Sequence, residues 1–198
     1  MAERGLAVDH TTIWRWVQRY GPEIHRRLRG EVKKKSSTWH MAETFVRIAG
    51  RWLYLFRAVD SQGQTVDFFL SDTRDREAAK CFPKKALANP DNRPPQVFAR
   101  DGLRSYPAAI RELQFEGKLR PRCRHRTRRY ANNLIESDHR SIKRRLRAMQ
   151  GPRTAPTART VIQSIEAVHM IRKGQVLGIT RENLHGQAWI FGALLGVQ

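Results

Sequence analysis

The chain has 198 residues, enough for one sizeable hydrophobic core and a small appendage. A hydrophobic content of 40% argues against wholesale disorder, and no run approaches the roughly 18 apolar residues of a membrane span. The charge is unusual: 38 Lys+Arg against 18 Asp+Glu leave +20, which calls for a polyanionic partner such as nucleic acid.

Residues 6–20, LAVDHTTIWRWVQRY, read as a turn and then a helix capped by Asp9 or Thr11. Ile13, Trp16, Val17 and Tyr20 form one apolar stripe, flanked by Arg15 and Arg19, and Gly21-Pro22 is expected to stop the helix. A lone amphipathic helix cannot bury its stripe, so partners are required. A basic, Ser-rich linker follows, RRLRGEVKKKSST. Three strands are then expected at about 43–49, 51–59 and 65–70, with turns at Gly50 and Ser61-Gln62-Gly63, forming an antiparallel meander. Residues 74–88 read as a helix disturbed by Pro83. PPQVFARD reads as a fourth strand ending at Asp101, and SYPAAIRELQFEG as a helix closed by Gly117.

In KLRPRCRHRTRRY, Arg120, Arg122, Arg124 and Arg126 alternate, so in a strand they share one face. No buried strand tolerates that row, which predicts an edge strand facing solvent or DNA. Residues 132–149 read as a helix capped by Asn132 or Asn133. Its apolar face is Ile135, Ile142, Leu146 and Met149; Glu136, Arg140, Lys143 and Arg147 lie a quarter-turn or more away. Gly151-Pro152 ends it. A last helix, about 156–173, turns Val161, Ile165 and Val168 to the core. The apolar tail HGQAWIFGALLGVQ either packs back or meets another subunit. The order β-β-β-α-β-α-β-α-α suggests a mixed α/β sheet flanked by helices.

Half of the net charge falls in 118–147, where 12 Lys/Arg meet two acids, Glu136 and Asp138. Clustered cations of this kind release phosphate counterions on binding. Within this surface, Asp101 closes a strand and Glu136 opens a helix. Either acid alone suits a plain role, a turn or cap for the Asp and a helix-dipole partner for the Glu. Together on a phosphate-binding surface they repel each other and the substrate unless divalent cations lie between, which is the two-metal arrangement for phosphodiester chemistry. The first strand opens with HMAET, where Glu43 is the only acid. Cys81 and Cys123 lack metal-ligand spacing and read as free thiols. With no signal-peptide pattern, a cytoplasmic location is expected.

Four stretches, WHMAETFVRIAGRWLYLFRAVDSQGQTVDF, ARDGLRSY, RYANNLIESDHRSIKRR and IEAVHMIRKGQ, resemble the DDE transposases of bacterial insertion sequences. The nearest group is the family numbered six, whose members move by replicative cointegrate formation. The resemblance runs from Ala2 to about Gln175. It implies a ribonuclease-H-like (integrase-type) α/β fold, a mixed sheet with flanking helices, preceded by a partial helix-turn-helix. The implied divisions are a helix-turn-helix remnant at 1–25, a basic linker at 26–37, the catalytic domain at 38–178 and a tail at 179–198. Met1 is expected to stand inside the DNA-binding motif, short of its supporting helices.

The family's triad has 34 residues between its second Asp and its Glu, and 34 residues separate Asp101 from Glu136. The resemblance thus makes Asp101 and Glu136 catalytic metal ligands for two Mg²⁺ ions, with Mn²⁺ as a substitute. The first Asp belongs in HMDET, and here that position is Ala42. Glu43 is not expected to replace it, because neighbouring strand residues point to opposite faces. The expected function is DNA cleavage and strand transfer, inactive in this chain for want of the Ala42 carboxylate. The alternative is a non-catalytic DNA-binding fragment that binds element ends or inhibits an intact transposase. A ribonuclease-H-type nuclease shares the metal chemistry but does not call for a long basic helix. The expected partners are terminal inverted repeats, target DNA and a second copy in a homodimer, with no membrane and a nucleoid association. DNA contacts are expected from Arg15, Arg19, Arg120, Arg122, Arg124, Arg126, Arg140, Lys143 and Arg144.

Overall fold

The computed structural model describes residues 9–100, 106–127, 133–148 and 152–196. They form two compact units, residues 33–152 and residues 1–32 with 153–198.

The first of these is a five-stranded sheet in the order β3-β2-β1-β4-β5. Strand β1 (Thr38–Ile48) pairs antiparallel with β2 (Arg51–Asp60), and β2 with β3 (Thr65–Ser71). Strands β4 (Val97–Arg100) and β5 (Arg124–Thr127) add parallel to β1 in turn, so the sheet is mixed, as the element order suggests. The β1–β2 turn is two residues long, with φ of 49° at Ala49 and 79° at Gly50. Positive φ at both positions matches the twist of the flanking strands.

Each face of β1 has its own helices. Trp39 and Met41, with Phe56 and Ala58 of β2, point to one side. There they join Ala79 and Phe82 of α2 (Arg76–Ala88) and Tyr106, Ala109 and Leu113 of α3 (Tyr106–Phe115). The other side takes Ala42 and Val59, which meet Ile135 of α4 (Asn133–Ala148). Asp75 caps α2 by accepting from the Ala78 N–H at 2.8 Å, and Pro83 is accommodated inside that helix. Asp60, fully buried at the end of β2, accepts from the backbone N–H groups of Ser36, Gln62 and Gln64 at 2.8–2.9 Å. Those bonds fix the loop that enters β3.

The basic strand is shorter than expected. Only Arg124 and Arg126 lie in β5; Arg120 and Arg122 belong to a turn in which Cys123 N–H donates to Arg120 O at 2.9 Å. Pro121 lacks an N–H for a ladder, so pairing with β4 begins only past that turn. β5 is the sheet's edge, as the alternating arginines require.

In the second unit, α1 (His10–Arg27) packs with α5 (Ala155–Arg172) and α6 (Leu184–Leu195). The expected stop at Gly21-Pro22 does not occur. Gly21 is buried, and a Cβ there would overlap Ser164 of α5, so the bare glycine is a contact point rather than a terminus. Packing overrides the helix-breaking tendency of the Gly-Pro pair. The buried residues of α1 are correspondingly Gly21 and Ile24, joined by Leu28 just past its end. Trp16 and Tyr20 of the expected stripe remain exposed, with Ile13 and Val17 half-buried. The apolar tail forms α6 and packs back within this unit through Leu194, against Ile24, Leu28 and Ile171. Arg27 Nη1 donates to Leu194 O at 2.7 Å.

Candidate active site and nucleic-acid surface

β1 carries Ala42 toward α4. The Ala42 methyl is 8% exposed and packs against Val59 and Ile135, an apolar contact with no oxygen donor. Its cross-strand partner is Arg57, which shares its face. Arg57 is completely buried, and its Nη2 donates to Asp138 Oδ2 of α4 at 2.7 Å. A buried cation demands such a partner. This pair ties α4 to β2 beside Ala42.

Glu136 follows Ile135 in α4 and is exposed, as are Arg140, Arg144 and Arg147; Lys143 is half-buried. The buried stripe is Ile135, His139, Ile142 and Leu146. Met149 and Asn132 lie outside the described residues, and Asn133 begins the helix. His139 Nε2 is buried with no hydrogen-bond partner among the described residues. Burial, then the Arg57 charge, hold the His139 imidazole down to about 3, so it is neutral at ordinary pH.

Asp101 lies outside the described residues. β4, the strand that leads to it, lies next to β1, and its last residue Arg100 pairs with Met41, one position before Ala42. Glu43 points to the opposite face, where it accepts from Arg74 Nε at 3.0 Å. It is therefore turned away from the face that carries Ala42. Among the described residues no three His, Cys, Asp or Glu side chains gather as a metal site. Arg120, Arg122, Arg124 and Arg126 are all exposed on or beside the sheet edge, whereas Arg15 and Arg19 are exposed on α1 of the other unit. The Arg57–Asp138 pair and buried His139 escaped the sequence reading. The signal was Arg57 itself, a charge inside the apolar run LYLFRAV, which cannot be buried unpaired.

A central antiparallel β1–β2–β3 meander, two parallel strands added beside β1 and helices on both faces define the ribonuclease-H-like core of the integrases. The fold matches the catalytic core domain of HTLV-2 integrase in complex with magnesium at a TM-score of 0.51, with 13% identity over 75% of this chain and 94% of that one. The BIV integrase catalytic core matches at 0.50, with 18% identity over 80% of this chain and 99% of that one. A family model described as a DDE domain matches residues 36–175. A Staphylococcus aureus transposase for the insertion sequence-like element IS431mec is 36% identical over 173 residues, 87% of this chain and 75% of the relative. The transposase for insertion sequence element IS257 in transposon Tn4003, from the same species, is 36% identical over 86% of this chain and 73% of its own length. The chain belongs to the DDE transposases of insertion sequences, and by family it is an enzyme. No helix among its described residues is long and apolar enough to cross a membrane.

Proposed function

We propose that this chain is an insertion-sequence transposase that binds DNA but does not cleave it as it stands. The observation that carries the reading is Ala42: the place of the first metal-ligand Asp holds a methyl group packed on Val59 and Ile135. In the intact arrangement two Mg²⁺ ions, or Mn²⁺, would polarise the scissile phosphodiester and its attacking oxygen. The residues at this site do not fit a two-metal centre, because Ala42 offers no donor atom and Asp138 is held by Arg57. Asp101 and Glu136 remain as the other two acids of the triad.

DNA binding does not depend on Ala42. Arg120, Arg122, Arg124 and Arg126 with Arg140, Lys143 and Arg144 serve as backbone contacts, and Arg15 and Arg19 contribute from α1. The partners are the terminal inverted repeats, target DNA and a second copy of the chain. The catalytic domain spans 38–178, between a DNA-binding segment at 1–25 with its linker at 26–37 and a tail at 179–198. The chain works on nucleoid DNA in the cytoplasm. A non-cleaving copy that enters a dimer with an intact transposase would inhibit it.

The test is strand nicking of an element-end duplex in Mg²⁺ and in Mn²⁺, comparing the chain with its Ala42→Asp variant. The variant is expected to nick and the parent to bind without nicking. Equal nicking by both would show that another acid fills the bridging position.

A further inference from the structure

The β1–β2 hairpin outruns the rest of its sheet. β4 pairs with β1 only over Thr38–Met41, and β3 pairs with β2 only from Tyr54 onward. The distal hairpin, Phe45–Ile48 with Arg51–Leu53, thus projects beyond both neighbouring strands. One face of the projection, Val46, Ile48 and Leu53, is buried. The opposite face carries Phe45 at 48% exposure and Trp52 at 63%, with half-buried Tyr54 beside them. The rings form one cluster: Phe45 meets Trp52 edge-on at 6.5 Å between centroids and Tyr54 in a tilted contact at 4.9 Å.

The charges around the cluster have one sign. Arg47 is the cross-strand partner of Trp52, is exposed, and makes no ion pair among the described residues. The two nearby acids are neutralised in place: Glu43 by Arg74, and Asp72 by Arg51 at 3.7 Å. Arg47 Nε donates a long 3.4 Å bond to Gly50 O, and the side chain is otherwise exposed, without an ion pair among the described residues. Exposed aromatic faces flanked by such an arginine are what an unpaired nucleotide strand requires, since bases stack on the rings and phosphates meet the guanidinium. Paired bases in a duplex are already stacked and do not present those faces. A second copy of this chain is a poor occupant, because it brings +20 of its own to a cationic patch.

We propose that Phe45, Trp52 and Tyr54, with Arg47, form a stacking platform for unpaired DNA bases. The proposal deepens the DNA-binding reading above and rests on it. It assigns the hairpin to single-stranded segments and leaves the duplex to the basic edge strand and α4.

The experiment measures binding of the full chain to labelled oligo-dT and to a blunt duplex by fluorescence anisotropy at fixed salt. A Phe45→Ala/Trp52→Ala variant is expected to bind oligo-dT about tenfold more weakly or worse, with duplex affinity changed by less than about twofold. A Phe45→Tyr/Trp52→Phe variant, which keeps both rings, should retain oligo-dT binding. Unchanged oligo-dT binding in the alanine variant overturns the platform, and so does an equal loss on both DNAs. A shift of that variant to a smaller species in gel filtration would assign the patch to self-association instead. A parent chain that binds neither DNA defeats the DNA-binding reading itself, whereas one that binds duplex but not oligo-dT defeats the platform alone.

Discussion

Asp138→Ala is expected to cost more stability than its partly exposed position suggests. Arg57 is 0% exposed and cannot shed its proton, so removing Asp138 takes from a buried cation the carboxylate that meets it at 2.7 Å between β2 and α4. Breaking a buried pair in this way costs about 3–5 kcal/mol. The Asp138 side chain is 11% exposed, so water reaches that side of the pair and the lower end, about 3 kcal/mol, is expected. With a urea m-value of about 2 kcal/mol/M, the unfolding midpoint should fall by roughly 1.5 M, read by circular dichroism. An Arg57→Met/Asp138→Leu double variant should recover to within about 1 kcal/mol of the parent, because apolar replacement removes the desolvation cost together with the attraction. A midpoint for Asp138→Ala within about 0.5 M of the parent would refute the claim that this pair fastens α4 to the sheet.

His139 gives a pH dependence of definite sign. Its folded-state value, about 3, lies below the ordinary 6.5, so the unfolded chain takes up the proton first. Stability is lost as pH falls from about 6.5 toward 3, by up to about 1.4 kcal/mol per pH unit from this group, and His139→Gln should flatten that limb in urea titrations at stepped pH. Gly21→Ala should destabilise the chain by about 1–3 kcal/mol, since the added methyl overlaps Ser164 and α5 must move away; thermal unfolding measures it.

The sheet was legible because its signals are local. β1, β2 and β3 alternate or run apolar between turn residues, and their expected boundaries agree with the structure at β2 and β3. β1 starts five residues earlier than expected, at Thr38, because its first four residues are paired to β4, a long-range partner that periodicity does not reveal. The same limit explains α1. Gly21-Pro22 is a stop in the local code, and only contact with Ser164 turns that glycine into a packing point. At the site, the spacing of acids and the identity of Ala42 were readable as residues. The tie between Arg57 and Asp138 was not, because 80 residues separate them and nothing local couples a strand arginine to a helix aspartate.

On the proposed reading, the fold and the chemistry make opposite demands on position 42. A carboxylate there would sit on an almost closed face against Val59 and Ile135, where an unpaired charge is costly unless a cation or donor neutralises it. Alanine meets the packing demand alone: it keeps the β1–β2 register, lets Ile135 close on the sheet, and leaves the guanidinium of Arg57 to Asp138. Among the described residues, the contacts of α4 through Ile135 on Ala42 and Val59, and through Asp138 on Arg57, involve neither Glu136 nor Glu43. On the proposed reading, an alanine at the first acid's position would therefore remove the means of cutting a phosphodiester and leave in place the helix that carries Glu136 and the arginines beside it. Residues that hold a site together differ from those that react in it, so on this reading the chain would keep its proposed DNA-facing surface without the cleavage chemistry.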